Sequence, residues 1–301
     1  MKKTTIVAYI VALLYLLLQI IPFGQEIENT NFFKKDKTLV FAHGGAKLLY
    51  PENTIYAFKQ VLKYPIDGIE VDLRLTKDLK LVSIHDETID AYTKEKGRVN
   101  AYTYDELKKM NFAYHFKSLE GKHSFKDVID EDIREQLIPI EINQLLSEFR
   151  DCLIIVEIKD EKERGKEAAL LLYKAIVENG RTQDVMVSSF HEEVISYFNK
   201  IDLFHIATSM SLKQSERFVV ANLWGYGCFM HFKEDGLLLP SVYKNIYLDE
   251  KYLLYKIHKN NKYAYYWTIN DQKKMRKLIE NQVDGILSDR VDLLLPLINK
   301  H

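Results

Sequence analysis

From about residue 38 onward the chain alternates between two hydrophobic rhythms. Short apolar runs recur as TLVFAHG, GIEVDLRLT, KLVSIHD, CLIIVEIK, VMVSSF, HIATSM, CFMHF, YAYYWTI and DGILSD, and each reads as a strand. Most are separated by segments with a helical stripe. ENTIYAFKQVLKY carries Ile55, Ala57, Phe58, Val61 and Leu62 at helical spacing. ERGKEAALLLYKAIVENG closes on Asn179-Gly180, a helix stop, and DQKKMRKLIENQVDG repeats the pattern before the last strand. Strands that are apolar throughout are buried on both faces, as in a parallel sheet covered by helices. About eight such units in roughly 265 residues is the size of a TIM (β/α)8 barrel, an α/β fold. A doubly wound sheet is the alternative, but the chain has no glycine-rich nucleotide loop to support it.

Two stretches break the rhythm. At the N-terminus, MKK is followed by TTIVAYIVALLYLLLQIIPF, with no charge between Lys3 and Glu26. About 20 apolar residues are enough to span a bilayer as one helix. The exit, QIIPFGQEIEN, offers no small-x-small cleavage site. The expectation is therefore a transmembrane signal anchor over 1–24, a linker over 25–37 and the barrel over 38–301. Lys2 and Lys3 favour a cytoplasmic N-terminus with the barrel extracellular, at a single-pass cell-membrane location, although Lys34, Lys35 and Lys37 weaken that orientation. The second stretch, residues 87–138, is charged and tyrosine-rich, with a capping box from Thr103 to Glu106. It is too long for a plain loop and reads as an insertion after the second strand, capping one end of the barrel.

Composition narrows the partners. The chain has 301 residues, 47% hydrophobic and 28% charged, with a net charge of -1, so no basic face invites nucleic acid. Its two cysteines, Cys152 and Cys228, sit in or beside apolar runs and read as buried thiols.

Polar residues fall repeatedly where the apolar runs end, which in such a barrel is where reactive groups sit. His43 closes the first run. Glu70 and Asp72 lie two apart in the second, and so do Glu157 and Lys159 in a later one. Residues two apart on a strand share a face. His85-Asp86, Trp267 with Asn270, and Ser288-Asp289 close other runs. Three carboxylates within apolar strands are costly to bury unpaired. A divalent cation would compensate them, and oxygen-only ligands favour Ca²⁺, Mg²⁺ or Mn²⁺. An ion-pair network with Arg74 and Lys159 is the plainer alternative. Two strand-end histidines suit a general acid and base. Asn53 suits either a helix start or a fastening beside the site, and Trp267 either a substrate wall or packing at the barrel mouth. Ser189 and Asp289 read as supporting residues, and His115, His123, His191, His205, His231 and His258 as surface or packing residues.

Taken in order from Leu39 to Leu297, AHGG…PENTIYAF, DGIEVDLRLTKDLKLVSIHDETID, TYDELKKM, IIVEIK, VSSF, YWTIND and DGILSDRVDLLL resemble the glycerophosphodiester phosphodiesterase family. The resemblance implies a TIM barrel with a small insertion after the second strand. It implies a divalent metal, often Ca²⁺ or Mg²⁺, held by Glu70, Asp72 and Glu157. His43 and His85 match the catalytic histidines, with His43 the better candidate for first base, and Lys159 a lysine beside metal and phosphate. The implied substrate is a small phosphodiester or lysophospholipid, or a glycerol-phosphate wall polymer. The substrate's own 2-hydroxyl would attack phosphorus, and water would open the cyclic phosphate. One position departs: the family has His-Arg where this chain has His43-Gly44. Glycine does not replace an arginine's bidentate grip on phosphate. Lys47, Lys94 or Arg98 could reach in instead, with Lys47, Asn53 and Trp267 expected around the substrate. A phosphodiester-binding envelope protein with little or no catalysis is the competing expectation. A sugar-processing barrel with paired carboxylates explains neither the histidines nor Lys159.

Overall fold

Eight short parallel strands form a ring in the computed structural model, which describes residues 3–20, 32–33 and 37–298. They are β1 (Leu39–Ala42), β2 (Gly68–Leu75), β3 (Leu153–Ile158), β4 (Val185–Ser188), β5 (Ala207–Thr208), β6 (Gly236–Leu239), β7 (Tyr263–Tyr266) and β8 (Gly285–Ser288). Their order is β5-β4-β3-β2-β1-β8-β7-β6. A single parallel bridge, Ser209 to Gly236, closes the ring between β5 and β6. The Met210 N–H donates to the Gly236 carbonyl at 2.8 Å beside it. A helix follows every strand, from Ile55–Val61 after β1 to Val291–Ile298 after β8. This is the expected α/β barrel, with its insertion between β2 and the helix Ile142–Glu148.

Side-chain alternation divides the strands between two cores. Val40, Ile69, Val71, Ile154, Val156 and Ile286 face outward beneath the helices. Leu39, Phe41, Ile155, Met186, Tyr265 and Leu287 face inward and fill the ring. Gly68 is required where β1, β2 and β3 meet. A Cβ there would lie 2.5 Å from both the Leu153 carbonyl oxygen and the Phe41 ring. Phe32 and Phe33, within the expected linker, join this interior and are 0% and 3% exposed. Phe33 stacks on Tyr263 with ring centres 4.4 Å apart, so the pair plugs the end of the barrel where the strands begin.

Two expected strands are corrected. KLVSIHD contributes only Leu81–Ser83, which pairs antiparallel with β2 and lies off the ring. CFMHF is not a strand; Gly227–Phe229 is a 3-10 turn with Phe229 exposed. The sixth strand is instead GLLL, too short and too close to Pro240 to stand out by pattern. The insertion builds its own small core from Ile89, Tyr92, Val99, Leu107 and Phe112, together with Val82 and Ile84. The Lys3–Ile20 helix has 18 residues, and its described side chains are exposed. Among the described residues no helix is long and apolar enough to cross a membrane. The expected anchor over 1–24 lies partly outside the described residues. Cys152 is buried and its thiol is pushed up to about 11, first by burial. The side chain of Cys228 lies outside the described residues.

Candidate active site

Strand register assembles the site. Asp72 on β2 pairs directly with Glu157 on β3, so their inward carboxyls are neighbours. Phe41 pairs with Gly68 on one side of β1 and with Leu287 on the other. Two residues further along each strand, His43 therefore meets Glu70 and Asp289. His43 Nδ1 lies 2.8 Å from Asp289 Oδ1, and His43 Nε2 lies 4.0 Å from Glu70 Oε2. Asp289 is fixed by Asn270, whose amide donates to Oδ2 at 2.8 Å and whose oxygen accepts from the Asp289 N–H at 2.9 Å.

The carboxylates converge as expected. One oxygen from each of Glu70, Asp72 and Glu157 lies within 4.8 Å of the others. Lys159 Nζ lies 2.9 Å from Asp72 Oδ1 and 2.8 Å from Glu157 Oε1. Those two oxygens are nonetheless buried without a well-aligned hydrogen bond. Arg74, the other cation of the plainer reading, donates to the His85 carbonyl instead. Three acids thus share one ammonium, and ionisation is uneven. Burial, reinforced by the charge of Asp72, pushes Glu70 up to about 8. Burial also raises Glu157. Burial would raise Asp72 too, but the Lys159 ammonium overrides it and holds Asp72 well below the usual carboxylate range. Burial would lower Lys159, yet Asp72 and Glu157 hold it above the usual lysine range. The donor set therefore fits a hard divalent cation, through oxygens aimed at a shared space with their charge unbalanced.

The other expected residues take distinct places. His85 is near the rim, its Nδ1 2.8 Å from Asp86 Oδ1. The insertion braces that pair, because the Asp86 N–H donates to Tyr92 Oη at 3.1 Å. Asn53 is buried and its amide donates to Asp72 Oδ2 at 2.8 Å, so it stands behind a carboxylate and not in the cavity. Gly44 has φ 53°, and its N–H donates to Glu70 Oε2 at 2.8 Å. Lys47 lines the cavity, 3.9 Å from Glu52 Oε2. Lys94 and Arg98 do not line it, and Arg98 pairs with Glu87. Ser189 donates to the Ile158 carbonyl at 2.8 Å, joining β3 to β4.

A cavity of about 860 Å³ opens from this cluster, lined by His43, His85, Lys159 and Trp267 and by many apolar residues from β5 to the end of the 242–247 hairpin. No residue of the insertion lines it, and the insertion braces the His85–Asp86 pair through Tyr92. Phe190 is a wall that sequence reasoning missed. Its ring centre lies 5.7 Å from Lys159 Nζ and 5.7 Å from the Trp267 ring centre. The only signal was its position two residues beyond β4.

The comparisons with known proteins agree with this geometry. Residues 43–293 match the Glycerophosphoryl diester phosphodiesterase family. A glycerophosphodiester phosphodiesterase of Caldanaerobacter subterraneus subsp. tengcongensis is 31% identical over 266 residues, covering 88% of this chain and 99% of the relative. One from Bacillus altitudinis is 30% identical over 263 residues, covering 85% and 96%. Among solved structures, an Oleispira antarctica phosphodiesterase in complex with the product sn-glycerol-3-phosphate shares the fold, with a TM-score of 0.68 at 19% identity. That match covers 87% of this chain and 97% of the other.

Proposed function

Because the chain belongs to the glycerophosphoryl diester phosphodiesterase family and is a phosphoric diester hydrolase, we propose that it cleaves glycerophosphodiesters by two-histidine acid–base catalysis at a divalent-metal site. The observation that carries this reading is His43, oriented by Asp289, standing beside three convergent acids and Lys159 at one end of the cavity. Glu70, Asp72 and Glu157 would hold the ion, Ca²⁺ or Mg²⁺ by donor type, with Mn²⁺ the other candidate. When bound, it supplies Lewis-acid polarisation of a phosphoryl oxygen. Lys159 then faces the phosphate and balances the charge that grows in the transition state. His43 takes the proton from the substrate's 2-hydroxyl, whose oxygen bonds to phosphorus. The bond from phosphorus to the head alcohol breaks, and His85 gives that alcohol its proton. Water opens the cyclic ester with the histidine roles reversed, leaving a free alcohol and a glycerol phosphate. Asn53 and Asn270 position Asp72 and Asp289, and Trp267 walls the substrate.

Purified full chain, incubated with glycerophosphocholine and Ca²⁺, Mg²⁺ or Mn²⁺, is expected to release choline, and chelator to stop it. Absence of turnover with every ion would favour the phosphodiester-binding alternative, which rests on Gly44 standing where an arginine was expected. The proposal extends to place: the exposed apolar helix near the N-terminus would hold the barrel at the outer face of the cell membrane.

A further inference from the structure

At the end of the barrel where the strands begin, two neighbouring segments put large apolar side chains into solvent. Residues 200–206 join the helix Glu192–Ile201 to β5 and expose Leu203 at 79% and Phe204 at 49%. Residues 222–234 join the helix Leu212–Leu223 to β6 and expose Trp224 at 77% and Phe229 at 69%. Hydrogen bonds fix where the second segment lies. Asn260, which closes the helix before β7, donates to Asn222 Oδ1 at 3.2 Å. Lys262, just ahead of β7, donates to the Phe232 carbonyl at 3.1 Å. Asn199, in the last turn of the helix before β5, donates to Glu234 Oε1 at 3.0 Å and ties the two segments together. The acids of both segments are turned inward. Asp202 accepts from the Phe204 and Ile206 N–H groups, and Glu234 is buried. Lys200, His205, His231 and Lys233 are exposed instead.

We infer that this face is a membrane contact: Leu203, Phe204, Trp224 and Phe229 enter the interface of a bilayer containing anionic lipid, and Lys200 and Lys233 meet its headgroups. Two observations identify the occupant. The first is where the leader joins the barrel. Phe32 and Phe33 plug this same end, and the chain between Ile20 and Phe32 can span no more than about 40 Å. A leader held in lipid therefore keeps the lipid near this end. The second is chemistry. Apolar and aromatic side chains beside cations, with no exposed acid in either segment, match the boundary between headgroups and acyl chains. The inference rests on the leader reading proposed above and adds an orientation, since a tether alone does not decide which side of the barrel meets the lipid. The face is not itself an anchor, because a few apolar side chains hold a membrane only weakly and reversibly.

The chain has two tryptophans, Trp224 and Trp267, so Trp224 can report on the contact. Full chain is reconstituted from detergent into vesicles of phosphatidylcholine and phosphatidylglycerol, with and without bromine on the acyl chains just below the headgroups. Flotation and tryptophan emission are measured together. Bromine is expected to quench the unmodified chain and to leave Trp224→Phe unquenched, because Trp267 lies in the cavity. Leu203→Asp combined with Phe229→Asp, at positions too exposed to disturb folding, is expected to lose most of the quenching while the chain still floats and still releases choline from glycerophosphocholine. Vesicles of phosphatidylcholine alone are expected to give weaker quenching, and equal quenching overturns the part assigned to the lysines. A floating chain that bromine does not quench, or quenches as strongly after Trp224→Phe, overturns the contact and leaves the leader reading standing. A chain that does not float overturns both. Trp224 emission that ignores bromine but shifts to the blue with rising chain concentration gives the face to a second copy and overturns the lipid contact. Quenching without choline release upholds the contact and sinks the catalytic reading.

Discussion

His43 sits between two acids, and its proton affinity follows from them. Burial alone would lower its pKa, but the charge of Glu70 and the hydrogen bond to Asp289 outweigh burial and raise it. A base works only when unprotonated, so kcat/KM should rise with pH through that raised value. Asp289→Asn removes an acid that holds the proton on. The rising limb is then expected to move to lower pH, and kcat to fall by about 10²-fold as the ring loses its orientation; a pH profile of choline release checks both. Glu70 gives a second prediction with the opposite sign from an ordinary carboxylate. Its folded pKa of about 8 lies above the ordinary 4.5, so folding favours the protonated form. That stability is complete below the ordinary value and is lost as pH rises toward 8. In chelator, urea melts should show stability falling across this window, and Glu70→Gln should remove the fall. A saturating divalent ion should stabilise the unmodified chain by about 2.7 kcal/mol at a hundredfold excess over its Kd. Asp72→Asn should abolish that gain, as read by thermal melts.

Elements explain what the sequence made legible. His43, Glu70, Asp72 and Glu157 come together because a two-residue period survives folding and parallel register sets neighbours side by side, whereas His85 follows the antiparallel strand Leu81–Ser83 off the ring. The barrel was legible for the same reason, since both faces of its strands are buried. The misses share a cause, which is that tertiary contacts chose between equal local patterns. GLLL became β6 through its parallel pairing with β7, and CFMHF did not become a strand. Phe190 and the apolar walls of the cavity come from several separate elements, and no window along the chain brings them together. The Phe32–Phe33 plug was hidden by the polar residues around it. Phe32 has no exposed surface and lies 6.0 Å, centre to centre, from the Phe41 ring. Phe32→Ala is therefore expected to cost about 3–5 kcal/mol by chemical denaturation, as for other buried aromatic truncations. A cost below about 1 kcal/mol would mean the barrel floor closes without the plug.

At the scale of the whole molecule, the plug joins the barrel to a leader of different character. The chain carries a net charge of -1, so its overall charge does not draw it to anionic lipid. Attachment to a membrane would have to come from apolar contact. The helix Lys3–Ile20 offers that contact, since its described side chains include Ile10, Val11, Leu13 and Leu14, all exposed. Its 18 residues span about 27 Å at the helical rise, slightly under the roughly 30 Å of a bilayer's hydrocarbon core. Partial insertion and full spanning are separable by extraction. If the leader is an anchor, the full chain should stay in the membrane pellet through alkaline carbonate and leave it only with detergent. If it lies on the surface, carbonate should release it. A chain lacking residues 1–24 keeps the plug and all eight strands. It should appear in the supernatant and hydrolyse glycerophosphocholine with kcat/KM within about twofold of the full chain, since no described residue of the leader lines the cavity. Loss of that activity would show that the leader supports the barrel itself, and recovery of the full chain in the supernatant would remove the membrane from the account.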